Sequence, residues 1–577
     1  MDSSVATLNA RSRLSKVDVR HGVLIPLRDG VELSATVYTP ADKQPLGPAI
    51  FTLTPYIAQT YHDRAAAFAA EGFPFVAVDV RGRGNSGGEF LPFVHEGDDG
   101  CDIVSWLARQ PYCDGRVAMW GGSYGGYAQW MTATKFPEGL ATIIPVASPY
   151  LGVDLPGRGN MPLPYMIQWL TLVWGRASQD KLFWNNDEYW GRKFADAHIE
   201  GSAFASLDEH FGFASRTFQQ WAAHPDQGPF WEAYNPAPDS YRHLKVPVLS
   251  ITGAYDGDQP GALRHYRNHI SSGSDAPHFL VIGPWDHAGT RSPVRNFCGL
   301  EMGPNSLLDI QQLHLDWYHW TMCGGDRPAF LRDNVAYYVA GSDQWRYATS
   351  LEDATARFIT NYLTSSSNPV DLFHSGTLAP QPDNSGPDHY VYDPTDTSLA
   401  ELEISMDPES RFDQRMVVAS ASKHLVYHTS AFDRALEVTG FFRFEAWISI
   451  DQPDTDFSVA VYEIRVDGTS VLLTTDAVRA RYRNSLHHAE LVDTLEPLLY
   501  RFEGFSFVSR EIAAASRLRL VFGPKSSIYA QKNYNSGGIV SQETIADSRP
   551  VVVTIFHDRS KPACLHVPVG HQPVGAN

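Results

Sequence analysis

The sequence predicts an α/β protein. A mostly parallel, helix-covered sheet is interrupted by a helical insertion and followed by an all-β sandwich. Three observations carry this. Short apolar, β-prone runs alternate with helical stretches over about 23 to 147 and again over 246 to 339, the pattern of a sheet buried on both faces. Residues 151 to about 244 hold no strand run but many large aromatics, among them Trp169, Trp174, Trp184, Trp190, Trp221 and Trp231. From about 356 onward, short alternating runs separated by turn residues fill the chain, with few clear helices. The expected division is therefore 1–147 and 245–355 for the two parts of the α/β domain, 148–244 for the insertion and 356–577 for the sandwich.

Taken in order, residues 1 to 16 are polar and read as loose. Strands at 23–27 and 31–38 flank Arg28-Asp29-Gly30, whose Asp-Gly pair supplies a hairpin turn. The strand at 49–53 ends at Thr54-Pro55-Tyr56, where a loop begins. An alanine-rich helix at 61–71 leads to a buried strand at 75–79, a glycine-rich loop from Arg81 to Gly88 and a helix at 97–109. The run Val117-Ala118-Met119-Trp120 reads as a buried strand, Gly121-Gly122-Ser123-Tyr124-Gly125-Gly126 as a tight turn, and 127–133 as a helix. A strand at 143–147 closes the first part. Pro236-Ala237-Pro238-Asp239 marks the exit from the insertion, followed by strands at 246–252 and 278–282, a helix at about 305–322 and a strand at 335–339. In the sandwich, 444–450 and 458–462 alternate with period two.

Composition narrows the function. At 577 residues the chain is long enough for two to four domains, and 43% apolar with 19% charged residues is ordinary for a globular protein. A formal charge of −19 argues against a nucleic-acid partner, since nothing would neutralise phosphates. Fourteen Trp, 26 Tyr and 30 Phe suit sandwich cores and an aromatic pocket. The five cysteines (Cys101, Cys113, Cys298, Cys323, Cys564) are scattered, lack metal-ligand spacing and read as free buried thiols, so neither a metal nor a cofactor is expected. The start Met1-Asp2-Ser3-Ser4 lacks a signal-peptide pattern, and no run approaches 18 apolar residues, so a cytoplasmic protein without a membrane partner is expected.

Chemistry concentrates at the glycine turn. Gly121-x-Ser123-x-Gly125 between a strand and a helix is the nucleophile-elbow pattern of α/β-hydrolases. The turn is sharp and its serine strained, so a side chain at either flank is expected to strike the neighbouring strand or helix. A serine hydroxyl needs a base, and the base an orienting carboxylate. In this fold they follow in the order serine, acid, histidine, on loops after later strands. The strand at 246–252 runs into Gly253-Ala254-Tyr255-Asp256-Gly257-Asp258, and that at 278–282 into Gly283-Pro284-Trp285-Asp286-His287. Asp256 and His287 therefore stand where a triad requires them. A loop aspartate is usually a turn former and a lone loop histidine idle, so it is their joint placement that counts. The N–H of Tyr124, next after the nucleophile, is one oxyanion donor. The phenol of Tyr56, on the loop after the third strand, could be the other; alternatively its ring only packs against that loop.

These segments together resemble the cocaine esterase / X-prolyl dipeptidyl aminopeptidase family. The resemblance rests on Thr54-Pro55-Tyr56, Asp79-x-Arg81-Gly82-x-Gly84-x-Ser86-x-Gly88, Gly122-Ser123-Tyr124-Gly125-Gly126, Tyr255-Asp256-Gly257 and Gly283-Pro284-Trp285-x-His287. Tyr392-Asp393-Pro394, Asp413-Gln414-Arg415 and Glu437-Val438-Thr439-Gly440 extend it over nearly the whole chain. It implies an α/β-hydrolase domain with an inserted helical cap and a C-terminal jelly roll. It makes Ser123, Asp256 and His287 the triad, with the Tyr56 hydroxyl and Tyr124 N–H as the oxyanion hole. The family's substrates are small esters, dipeptides ahead of proline, α-amino-acid esters and β-lactams. Where the cocaine-esterase branch has an aromatic pocket residue two positions past the acid, this chain has Asp258, against a benzoyl-type pocket.

Asp258 needs solvent, a basic partner or a substrate group, and Arg264 and His265 are its expected internal partners. Trp169 and Trp174, five apart on an expected helix, point to different sides, so at most one should line the substrate pocket. Asp286 reads as a solvated loop acid, and Asp79 and Arg81 as knitting the elbow's neighbouring loop. Gly82-x-Gly84 lacks the third glycine and ribose acid of a nucleotide loop. The expected function is a serine hydrolase cleaving a small-molecule ester or amide through an acyl-enzyme. Acyl transfer on the same triad, X-prolyl or amino-acyl peptidase activity, and a non-catalytic binding protein led by the β-domain are the alternatives. A homodimer is left open.

Overall fold

The computed structural model describes residues 16–41, 46–180 and 186–571. The expected loose stretch before Lys16 and Trp184 lie outside the described residues.

Among the described residues, ten strands form the first sheet. Val17–Pro26 (β1) and Glu32–Pro40 (β2) are the expected hairpin, followed by Gly47–Thr54 (β3), Phe75–Asp79 (β4), Cys113–Gly122 (β5), Leu140–Val146 (β6), Val248–Gly253 (β7), His278–Gly283 (β8), Val335–Val339 (β9) and Gln344–Ala348 (β10). Their spatial order is β1-β2-β4-β3-β5-β6-β7-β8-β9-β10. From β4 to β9 neighbours run parallel, while β1, β2 and β10 are antiparallel additions. Period-two alternation divides the buried side chains. Phe51, Val76 and Met119 face Ile103, Val104 and Leu107 of the helix Glu96–Leu107 (α1) and Tyr127 and Trp130 of the helix Tyr124–Ala133 (α2). Ile50, Phe75, Ala118 and Trp120 face the opposite layer, with Phe68 of the helix His62–Ala70 and Trp317 and Tyr318 of the helix Ile310–Cys323.

Between β6 and β7 the chain is mainly helical, including Tyr165–Leu172 (α3) and Asp187–Glu200. The expectation of no strand here needs one correction, because Gly157–Arg158 and Met161–Pro162 make a two-residue antiparallel ladder. The helix at the elbow also begins earlier than expected, at Tyr124, because β5 runs through both glycines up to Ser123. Trp169 and Trp221 of this segment belong to the same buried cluster as α1 and α2, so the insertion shares a core with the ten-stranded sheet.

From Thr355 the chain is β-rich, with short helices at Ala400–Ile404 and Arg415–Ala419. Its strands pair antiparallel apart from Gly376–Ala379 with Leu425–His428. Phe444, Phe457, Phe502 and Phe522 pack ring to ring in its own core. This domain grips the first through buried polar contacts: the Gln259 amide donates to the Phe507 carbonyl (3.2 Å) and accepts from the Phe507 N–H (2.7 Å). The Phe507 ring packs on Tyr337. Toward the insertion, Tyr529 packs on Phe194 and the Gln531 N–H donates to the Pro162 carbonyl at 3.0 Å. All five cysteines are free; Cys101, Cys113 and Cys564 are buried as expected, whereas Cys323 is exposed and Cys298 half-buried. No described helix is long and apolar enough to cross a membrane.

Candidate active site

Tyr56, Ser123, Asp256 and His287 lie just beyond the carboxyl ends of β3, β5, β7 and β8, so parallel pairing carries all four to one edge of the sheet. Ser123 bridges β5 and α2 at φ 59° and ψ −121°, outside the ordinary regions for a side-chain-bearing residue. Its N–H donates to the Val146 carbonyl at 2.9 Å and its carbonyl caps the first turn of α2. The steric reason for glycine differs between positions. A Cβ on Gly121 would lie 3.0 Å from the Gly125 Cα, and one on Gly126 2.8 Å from the Val146 carbonyl. At Gly125 the nearest atom would be 3.7 Å away, so the expected clash at that flank is absent and the close approach has moved to its neighbour.

Asp256 and His287 are locked by the residues around them. His287 Nδ1 stands 2.8 Å from Asp256 Oδ1, which also accepts the Asp258 N–H at 3.0 Å. The Thr252 hydroxyl donates to Asp256 Oδ2 at 2.9 Å. Between the two loops sits the fully buried Trp285, whose indole N–H donates to the Ser306 carbonyl and whose own carbonyl accepts the Tyr255 N–H. A Cβ on Gly253 would come within 2.0 Å of that carbonyl, and one on Gly283 within 2.2 Å of the indole. The Gly-Pro-Trp segment is thus the wedge that sets Asp256 against His287. Burial pushes Asp256 up, but the His287 charge and the bonds it accepts outweigh this and hold it below the usual carboxylate range. Burial likewise works to lower His287, while the charges of Asp256 and Asp258 outweigh it and hold the imidazole above its ordinary value. Such a histidine is poised to take a proton.

Tyr56 does more than pack against its loop. Its hydroxyl accepts from Trp169 Nε1 at 3.2 Å and hydrogen-bonds with the Ser123 side chain. Burial pushes the phenol up to about 12, so it stays protonated and able to donate. The described contacts of the Ser123 hydroxyl run to Tyr56 rather than to His287; a serine–imidazole bond commonly tightens only around substrate. As the first residue of α2, Tyr124 has no acceptor for its N–H within the helix. Its ring stacks on Trp169 (centroids 6.1 Å, 16°), and Phe93 stacks on the same indole.

The remaining expected residues divide. Trp169 is buried against Tyr56 and faces the site. Trp174 lies past the end of α3, is 52% exposed, and packs on Phe213 beside a separate surface cavity of about 460 Å³. Asp258 does not pair with Arg264 or His265. Arg264 instead stacks over Tyr150, and His265 bonds the Tyr241 hydroxyl and the Pro149 carbonyl. Asp258 Oδ2 turns to His287 Nδ1 at 3.7 Å. Burial, with the Asp256 charge adding and His287 opposing, lifts Asp258 to about 6. Asp286 accepts the Gly289 N–H at 2.6 Å, a turn contact rather than a purely solvated acid. Arg81 forks onto Asp99 and reaches Asp29, and Asp79 accepts the Ala58 N–H, both structural as expected.

Sequence reasoning missed four residues. Arg83, fully buried, donates to the carbonyls of Pro55, Val173 and Trp174, tying the Tyr56 loop to the insertion. Glu96 accepts from the Tyr124 hydroxyl, and burial lifts it to about 7. Asp154 is buried near Asp258; burial first, then the Asp258 charge, pushes its carboxyl well up. Arg291 packs over the elbow, where a Cβ on Gly122 would lie 2.3 Å from its guanidinium. None carries a local motif; the Arg81-to-Gly88 segment, which contains Arg83, was the one available signal. Two groups of side chains bring metal-ligand atoms within 4.8 Å of one another: Asp286, Cys298 and Glu409, and Glu445, Cys564 and His566.

Comparison with known proteins finds matches to both the first domain and the β-rich domain. Residues 29–289 match the family described as X-Pro dipeptidyl-peptidase (S15 family), and residues 331–504 match the X-Pro dipeptidyl-peptidase C-terminal non-catalytic domain. Cocaine esterase of Rhodococcus sp. (strain MB1 Bresler) is 26% identical over 96% of this chain and 98% of its own. A putative serine esterase of Mycobacterium bovis is 25% identical over 80% of each. Among solved structures, an aminopeptidase from the marine sediment archaeon Thaumarchaeota archaeon superposes with a TM-score of 0.83 at 20% identity over 97% of each chain. An α-amino acid ester hydrolase superposes with a TM-score of 0.82 at 18% identity over 96% of this chain and 97% of its own.

Proposed function

The chain belongs to the X-Pro dipeptidyl-peptidase (S15) and cocaine esterase family of serine hydrolases acting on ester or peptide-like bonds, and from that premise we propose that Ser123, His287 and Asp256 are its catalytic triad. His287 takes the Ser123 proton through Nε2 while Asp256 holds Nδ1. Ser123 Oγ attacks the carbonyl, and the oxyanion is received by the Tyr124 N–H and the Tyr56 hydroxyl. Collapse expels an alcohol or amine, which leaves with the proton from His287, and water then releases the acyl group by the same steps. The segment 148–244 serves as a cap over this edge, and the β-rich domain is read as a jelly roll. The observation that carries the proposal is the 2.8 Å Asp256–His287 contact beside a strained serine whose hydroxyl already meets Tyr56. A fluorophosphonate probe should label Ser123 in the wild type and leave Ser123→Ala unlabelled and inactive. Labelling elsewhere, or activity above a few per cent in the variant, would overturn it. An unreactive wild type would favour a binding protein instead.

Asp258 favours one substrate class within this reading. A carboxylate beside the base, with Asp154 nearby, suits an acyl group bearing a free amine rather than an apolar ring. Arg158, which donates to the neighbouring Gly257 carbonyl at 2.6 Å, partly offsets that charge. Matched esters with and without an α-amine decide the point. The wild type should prefer the amine and Asp258→Asn should lose the preference; no preference, or one untouched by the substitution, leaves Asp258 structural.

A further inference from the structure

The C-terminal domain carries a cluster remote in sequence from the triad. Strand Arg443–Ile450 pairs with strand Cys564–Gly570 only at Arg443, Phe444 and Glu445, then passes to strand Val551–Phe556 from Trp447 onward. Glu445 and Cys564 are the last partners before this change. Cys564 and His566, two apart on one strand, share its outward face with Glu445. The thiol, the imidazole and the carboxylate bring their ligand atoms within 4.8 Å of one another.

We propose that Glu445, Cys564 and His566 bind a zinc ion, with water in the fourth position. Cys564 Sγ and His566 Nε2 are 3.4 Å apart. Two ligands of a tetrahedral zinc, with Zn–S of about 2.3 Å and Zn–N of about 2.0 Å, stand about 3.5 Å apart, so the pair already spans one edge of the site. His566 Nδ1 is 3.0 Å from the Thr360 hydroxyl on the adjacent strand Thr355–Thr364. In the tautomer that donates Nδ1–H to Thr360, Nε2 presents its lone pair to the metal, the arrangement of a ligand histidine held from behind. Three hydrogen-bonded strands fix the backbone, so little ordering is needed on binding. Cys564 is buried while Glu445 and His566 are half-exposed, which leaves an approach for the hydrated ion. Glu445 also stands 3.6 Å from Arg501, a solvent-exposed pair weak enough to yield its carboxylate. The step balances: zinc binds the thiolate and the Cys564 proton is released to solvent. The bound ion would staple the strands where their ladder ends. The expectation of no metal rests on spacing along the chain, which is blind to ligands on two strands.

The test uses untagged full-length protein stripped with EDTA and titrated with zinc chloride or cobalt(II) chloride. One equivalent of zinc should bind, raise the Tm, and release a proton. Cobalt(II) should develop thiolate-to-metal charge-transfer absorption. Cys564→Ser should abolish that band and the Tm rise, and Thr360→Val should weaken binding by roughly 10- to 100-fold. Cys298→Ser, in the other cluster, should change neither. Ser at 564 is nearly isosteric, and an unchanged metal-free Tm shows that the fold is kept; if it falls, His566→Gln and Glu445→Gln carry the same comparison. No stoichiometric binding, or binding that survives Cys564→Ser and His566→Gln but is lost in Cys298→Ser, would overturn the proposal.

Discussion

Tyr56→Phe separates an oxyanion donor from a packing ring, because it removes the hydroxyl and keeps the ring. It accepts from Trp169 Nε1 at 3.2 Å and bonds Ser123. If it is one of two donors to the oxyanion, its loss should cost about 2.7–4 kcal/mol of transition-state stabilisation, or roughly 10²–10³ in kcat, with KM little changed. The substitution also strips the acceptor from a buried indole N–H, which costs about 1–3 kcal/mol of folding stability. The two losses are read separately, the first from pre-steady-state acylation by a p-nitrophenyl ester and the second from urea unfolding. Because burial keeps the phenol protonated up to about 12, the kinetic deficit should stay constant from neutral pH to about 10, where an unperturbed tyrosine would be half ionised. A loss in the acylation rate below about tenfold, less than one oxyanion donor is worth, would refute the role and leave Tyr56 as packing. A deficit that closes on raising the pH toward 10 would refute the protonated-donor argument.

The remaining predictions concern charge and assembly. His287 must be neutral to act as base and is held above its ordinary 6.5, so kcat/KM should fall with decreasing pH along a limb centred above 6.5. Asp258→Asn removes one charge that holds His287 up and should move the limb to lower pH; an unmoved limb would uncouple the pair. His265 and His269 are buried neutral, lowered by burial to about 3 and about 4. The unfolded chain therefore binds protons below 6.5 that the native state refuses, and stability should fall as pH drops from about 6.5 to about 4. Each histidine contributes a slope of about 1.4 kcal/mol per pH unit; His269→Gln should flatten the urea-midpoint profile, and an identical profile would show that other groups carry it. Removing residues 356–577 should give insoluble protein, because Gln259 and Tyr337 lose Phe507 and the insertion loses Tyr529. A soluble, fully active 1–355 fragment would contradict this.

Legibility in the sequence followed the range of the interactions. Strand runs, the elbow and the loops bearing Asp256 and His287 were readable because each is a local pattern, and parallel pairing then brings strand ends together. Asp258 shows where local reading fails. Chain proximity points to Arg264 and His265 as its partners, but helix Gln259–Ser271 turns His265 inward to Tyr241 and leaves Arg264 over Tyr150. Apart from Asp256 on its own loop, the groups that set the charge of Asp258 come from elsewhere: His287 and Arg291 from the segment after the neighbouring strand, and Arg158 from the insertion. Arg83, Arg291 and the Glu445–Cys564–His566 cluster share that property, since each acts on groups from another strand or loop. Buried polar side chains must find partners wherever the fold brings them, so their roles become visible only with the topology. The same argument explains the conspicuous glycines. Gly253 and Gly283 precede the loops bearing Asp256 and His287 because Trp285 occupies the space a Cβ would need, and replacing either with alanine should displace Asp256 from His287 without touching either side chain. Gly283→Ala should therefore lower kcat, and a normal rate would show that the Trp285 wedge yields.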